Sequence, residues 1–229
     1  MTENKDKSQI QEFLDSIPDH FDILGAGIDM DTQSEYIALS KKMGSVNDQK
    51  TVFDKGERLF SEELLVEDKK RILVEVAHLG TVEAYRTIER FLQCSGKELE
   101  GWTLLSLQEC RMFLEGDLLD DKKGFISTGL GGKENKLRYC FIIRSLSAMP
   151  FSINQQEVIL EQFNFTCKSL NVELEKMSFK ENYLMAKALI PMDVASGEFI
   201  ERGIKDANKI SHCLKFHYYV SNVSTEFKN

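Results

Sequence analysis

Proline is scarce in this chain, at 3 of 229 residues, and there are only 4 histidines and 1 tryptophan. No apolar run exceeds a handful of residues, which excludes a membrane-spanning helix on sequence grounds. The first residues, Met1-Thr2-Glu3-Asn4-Lys5-Asp6-Lys7, lack the apolar core of a secretory signal. A soluble, cytoplasmic protein is expected. Global disorder is excluded as well, because 42% of the residues are hydrophobic and 15 are Phe. No His-Glu-x-x-His or Gly-x-Ser-x-Gly signature occurs. Five cysteines, Cys94, Cys110, Cys140, Cys167 and Cys213, are odd in number and show no Cys-x-x-Cys pairing, which argues against a disulfide framework or zinc site. They read as small buried apolar groups. Asp29-x-Asp31 lacks the glycine and closing glutamate of a calcium loop. No metal, cofactor or catalytic set is expected.

Charge is unevenly distributed. Residues 1–120 hold 14 Lys and Arg against 25 Asp and Glu, a balance of −11, whereas residues 121–229 hold 15 against 12, or +3. The acidic half repels nucleic acid, so no nucleic-acid partner is expected. Only the second half has the charge for a local anion site. The reversal near Asp120 suggests two domains, 1–120 and 121–229.

Periodicity gives the two parts different characters. A short helix carrying Ile10, Phe13 and Leu14 is expected before Pro18, and Asp19 to Asp31 reads as an irregular connection. Helices follow from about Thr32 to Leu119: one to Met43, one from Asp48 to Phe60, and one with Leu65, Ile72, Leu73, Val76 and Leu79 on a face. Ser61 and Thr81 are N-cap candidates. Ala84, Tyr85, Ile88, Phe91 and Leu92 mark a further helix ending at Gly96, and Trp102 to Leu118 an apolar, central one. Within this stretch, Asp68-Lys69-Lys70-Arg71-Ile72-Leu73-Val74-Glu75-Val76-Ala77-His78-Leu79-Gly80 followed by Val82-Glu83-Ala84-Tyr85 resembles the helical hairpins of HEAT and armadillo repeats. The resemblance covers residues 62–119. It implies a helical-pair scaffold, and a plain bundle fits the same pattern.

After Asp121 the period shortens. Phe125–Thr128 and Leu137–Ile143 read as strands forming a hairpin, followed by helix 154–170, strands near 172–177 and 183–190, a helix capped by Asp193, and a last strand from Leu214 to Val220. From Leu137 the order is βαββαβ, that of a ferredoxin-like antiparallel sheet with two helices, so the fold class is α+β. Phe216, Tyr218 and Tyr219 read as sheet core.

One segment stands out as a candidate site. Thr128, Gly129, Gly131 and Gly132 could expose backbone amides to an anion, with Lys133, Lys136 and Arg138 adding charge. It departs from a Walker A loop, since Glu134 follows Lys133, and from a dinucleotide fingerprint, since no helix begins there. A long hairpin turn fits it too. The same segment resembles part of a bacterial family, a likeness that implies no activity. Two functions remain open: an interaction or scaffold protein that binds a protein partner or itself, and a regulatory or enzymatic domain that holds a small anionic ligand or nucleotide at residues 128–138. Convergence of the three cations on an open pocket would favour the second; pairing with acids would oppose it.

Overall fold

The computed structural model describes residues 20–43, 49–119 and 123–223. The short helix expected before Pro18 lies outside the described residues. The chain is an α+β protein of two compact units, one containing residues 30–126 with the chain up to Asp22, the other Ile23–Asp29 with the chain from Ser127 onward. The charge reversal suggests a boundary near Asp120, but the units exchange at 126/127, and seven residues from the first half belong to the second unit.

The first unit is helical: α1 (Met30–Met43), α2 (Gln49–Glu57, continued by a 3-10 turn at Arg58–Phe60), α3 (Val66–Ala77), α4 (Val82–Leu92) and α5 (Lys97–Leu119). The central helix is α5, on which α1, α3 and α4 all pack. Thr81 caps α4, accepting from the Ala84 N–H at 3.2 Å. Gly80 before it adopts φ +57, and a Cβ there would lie 2.8 Å from Phe113 Cβ, so only glycine allows this close approach to α5. Ser61 does not cap a helix. Its hydroxyl accepts from Glu63 N in a local turn, and α3 starts five residues later. Leu65, expected on the buried face of α3, precedes that helix and is 71% exposed. Gly101 and Trp102 lie inside α5 rather than at its start, with Trp102 buried against Tyr36 at 5.4 Å between ring centres.

Two sequence expectations fail around the first sheet. The stretch expected to be irregular contains β1 (His20–Ile23), and β2 (Lys123–Ile126) pairs with it rather than forming a hairpin with the later strand. Such pairing joins residues about a hundred positions apart, which local periodicity cannot reveal.

The second unit carries β3 (Gly132–Lys133), β4 (Lys136–Ser145), α6 (Ile153–Ser169), β5 (Glu173–Phe179), β6 (Tyr183–Pro191), α7 (Ser196–Ile210) and β7 (Leu214–Ser221). The strands form an antiparallel sheet in the order β7-β4-β6-β5, the split βαβ arrangement, with β3 closing a tight hairpin onto the start of β4. Phe141 and Ile143 of β4, Leu184, Ala186 and Ala188 of β6, Phe163 of α6 and Phe199 and Ile204 of α7 make the core between sheet and helices. The rings of Phe141, Phe163 and Phe199 lie 5.8–5.9 Å apart. Gly203 lets α7 approach Phe163, whose ring would sit 2.6 Å from an added Cβ. A capping box between Ser152 and Gln155 opens α6. Asp193 caps nothing: α7 begins at Ser196 after Ala195, which makes no side-chain cap.

Candidate functional site

The glycine-rich segment is closed on itself. The N–H of Gly131 donates to Thr128 O at 3.2 Å, that of Gly132 to Leu24 O at 3.0 Å and that of Leu130 to Asn222 O at 3.0 Å. The Thr128 hydroxyl donates to Gly131 O. These amides therefore serve the fold and point at no ligand space. Gly27 approaches Gly129 so closely that an added Cβ would run into the Gly129 carbonyl.

The three cations do not converge. Arg138 makes a two-pronged ion pair with Glu175 (2.8 Å) and donates to the Leu130 carbonyl at 2.8 Å. Lys133 lies 4.0 Å from Glu173, and Lys136 reaches Asn171 at 3.4 Å. The Arg138 guanidinium is the main cause holding the Glu175 carboxyl below its ordinary range. The segment folds as a hairpin turn in which two of the three cations are paired with carboxylates.

A second cluster, not foreseen from the sequence, lies inside the helical unit. Glu109 of α5 accepts from Tyr36 Oη at 2.6 Å and from Ser40 Oγ at 2.7 Å, and His78 Nε2 lies 3.0 Å from Ser40 Oγ and 3.4 Å from Glu109. Burial alone would raise the Glu109 pKa, but His78, Tyr36 and Ser40 outweigh it and hold the carboxyl below its usual value. Burial, reinforced by Glu109, drives the Tyr36 phenol well above its own. A serine, a histidine and a glutamate in contact could suggest a nucleophile relay. Here the serine proton is donated to the carboxylate, and the His78 and Glu109 side chains are only 8% and 10% exposed. The network ties α1 to α3 and α5. Of the cysteines, Cys110 is pushed up to about 12 and Cys167 to about 11 by burial; Cys94, against expectation, is exposed.

The sheet of the second unit presents chemistry on the face away from its helices. Because strand side chains alternate, the partners of the core residues mark that face: Cys140, Ile142 and Arg144 on β4, Tyr183, Met185 and Lys187 on β6, Lys176 and Ser178 on β5. Tyr219 of β7 stands opposite Ile142. Between the Ile143–Tyr218 and Ser145–Leu214 pairs the register slips, so three residues of β7 oppose Arg144 alone. Such a bulge re-aims side chains. Lys215, His217 and Tyr219 line one hollow of about 490 Å³ with Arg144, Ile142 and Tyr218. Among the described residues, Arg144, Lys176, Lys187 and Lys215 have no carboxylate within ion-pair distance. Phe216 and Tyr219, expected in the core, are 58% and 48% exposed; Tyr218 packs on the core and donates to Glu201. Aromatic character alone suggests burial for all three, but alternation puts Tyr218 on the core face and Tyr219 opposite Ile142 on the other.

No group of three or more His, Cys, Asp or Glu side chains among the described residues is arranged to hold a metal ion, and no described helix is long and apolar enough to cross a membrane. No model of a known protein family matches the chain, and no curated protein matches it either.

Proposed function

We propose that the chain is a non-catalytic interaction protein whose second unit docks an acidic segment of a protein partner on the open face of its sheet. The observation that carries this reading is the set of cations with no carboxylate within ion-pair distance among the described residues, Arg144, Lys176, Lys187 and Lys215, around the strip of Tyr219, Ile142 and Met185. Such cations beside half-exposed apolar side chains favour a partner with carboxylates flanking apolar residues. The likeness of residues 62–119 to helical-hairpin repeats points the same way by analogy, since such repeats serve as scaffolds. A small anion held at residues 128–138 is the weaker reading, because its amides and cations are already engaged.

Fluorescence anisotropy of the full chain with a labelled peptide of alternating Asp and Leu tests the proposal. Binding that weakens in Arg144→Ala and Lys187→Ala, but not in Lys133→Ala, is expected. A single-stranded oligothymidine that binds more tightly than the peptide at equal salt would overturn it in favour of nucleic acid.

A further inference from the structure

We infer that the hollow beside the β7 bulge is a seat for an aryl phosphate, the phosphorylated tyrosine side chain of the docked partner. The inference rests on the reading of the open face as a docking surface and assigns one subsite within it. Three different cationic or donor groups line the hollow: the Arg144 guanidinium, the Lys215 ammonium and the His217 imidazole. Arg144 and Lys215 have no carboxylate partner among the described residues. Two permanent positive charges match a phosphate monoester dianion, whereas a single carboxylate would leave one unanswered. A guanidinium offers forked donors, an ammonium a point charge and an imidazole a third N–H, enough for the three free oxygens of a phosphoryl group.

The rest of the lining is Ile142, Tyr218 and Tyr219. Ile142 and Tyr219 stand side by side across β4 and β7, and Tyr219 is 48% exposed, so a ring entering the hollow finds an aromatic face and an aliphatic wall. The volume of about 490 Å³ is ample for one phosphorylated ring. The bulge is what makes this possible. A regular β7 would place one residue opposite Arg144, and the slipped register places Lys215, Phe216 and His217 there. In the glycine-rich turn, by contrast, Lys133 and Arg138 are already paired with Glu173 and Glu175.

Three labelled acidic peptides, identical except for tyrosine, phosphotyrosine or glutamate at the central position, decide the matter with the full chain. The phosphotyrosine peptide is expected to bind at least about tenfold more tightly than the other two, a gain typical of charge-assisted pairs. That gain disappears in Arg144→Ala and in Lys215→Ala, persists in Lys133→Ala, and is competed by phenyl phosphate more effectively than by inorganic phosphate. Unchanged thermal midpoints in the variants exclude misfolding as the cause. Equal binding of all three peptides overturns the seat while leaving the docking surface intact. A phosphotyrosine gain that survives in both variants overturns it as well. Phosphotyrosine binding that depends on Arg144 and Lys215, with no detectable affinity for the unphosphorylated acidic peptide, upholds the seat and removes the broader reading.

Discussion

Two clusters of positive charge in the second unit make an instructive pair. Lys133, Lys136 and Arg138 sit together in sequence, next to three glycines, and look like a phosphate cradle. Arg144, Lys215 and His217 come from strands seventy residues apart and form no motif in the sequence. In the first cluster the two firmest cations are met by Glu173 and Glu175 of the neighbouring strand. In the second, Arg144 and Lys215 meet no acid among the described residues. Cation density along the chain therefore says little about binding capacity; whether a cation is already answered says much more.

The contrast can be attacked experimentally, starting where the effect is largest. Gly131 has φ +66, and its Cβ would collide with the Gly25 carbonyl oxygen, so Gly131→Ala should cost about 3 kcal/mol or more in urea unfolding. The turn would then be shown to be structural. A loss below about 1 kcal/mol would mean that the segment is loose enough to open for a ligand.

Next in size is the buried carboxylate of the helical unit, a benchmark for a fully answered charge. Glu109→Ala should lose about 3 kcal/mol by leaving Tyr36, Ser40 and His78 without their acceptor. The folded-state pKa of Glu109 is depressed below 4.5. Its contribution is therefore present above that unfolded-state value and is lost as pH falls through the lower folded one. Unfolding free energies between neutral pH and pH 3 should thus fall more steeply in wild type than in Glu109→Gln.

The Arg138–Glu175 pair is smaller. A double-mutant cycle with alanine should return a coupling of about 1 kcal/mol, since both side chains keep partial solvent contact. Arg144→Ala and Lys215→Ala should change stability by less than about 0.5 kcal/mol, because neither has an ion-pair partner to lose. A large loss in either would mean that these cations already serve the fold, as Arg138 does. Smallest of all, Ser127→Ala should be neutral or slightly stabilising, because the buried Ser127 Oγ has no hydrogen-bond partner.

Local signals in the sequence carried much of the architecture. Thr81 as a cap, the helix over Ala84–Leu92 and the βαββαβ order after Leu137 follow from capping chemistry and the switch of period from 3.6 to 2. What escaped depended on distant partners. β1 forms because β2 pairs with it, and the Tyr36–Glu109 bond joins residues 73 positions apart. The candidate site escaped for a subtler reason: an aromatic-rich strand reads as sheet core, and only the slipped register of β7 brings Lys215 and His217 opposite Arg144. The glycines at 129–132 were visible, but their tight approach to residues 25–27 was not.

The allotment of Ile23–Asp29 to the second unit has a consequence for how this chain is made. During synthesis those seven residues leave the ribosome about a hundred residues before Thr128 and Gly132, whose backbones they bond through Ile28 and Leu24. The helical unit can be complete while the later unit still waits for its earliest segment to be captured. A fragment starting near residue 121 would lack that segment altogether, leaving the Gly132 amide without its acceptor and the Thr128 carbonyl with the Gly131 N–H alone. A single cut in the chain therefore cannot release the second unit whole.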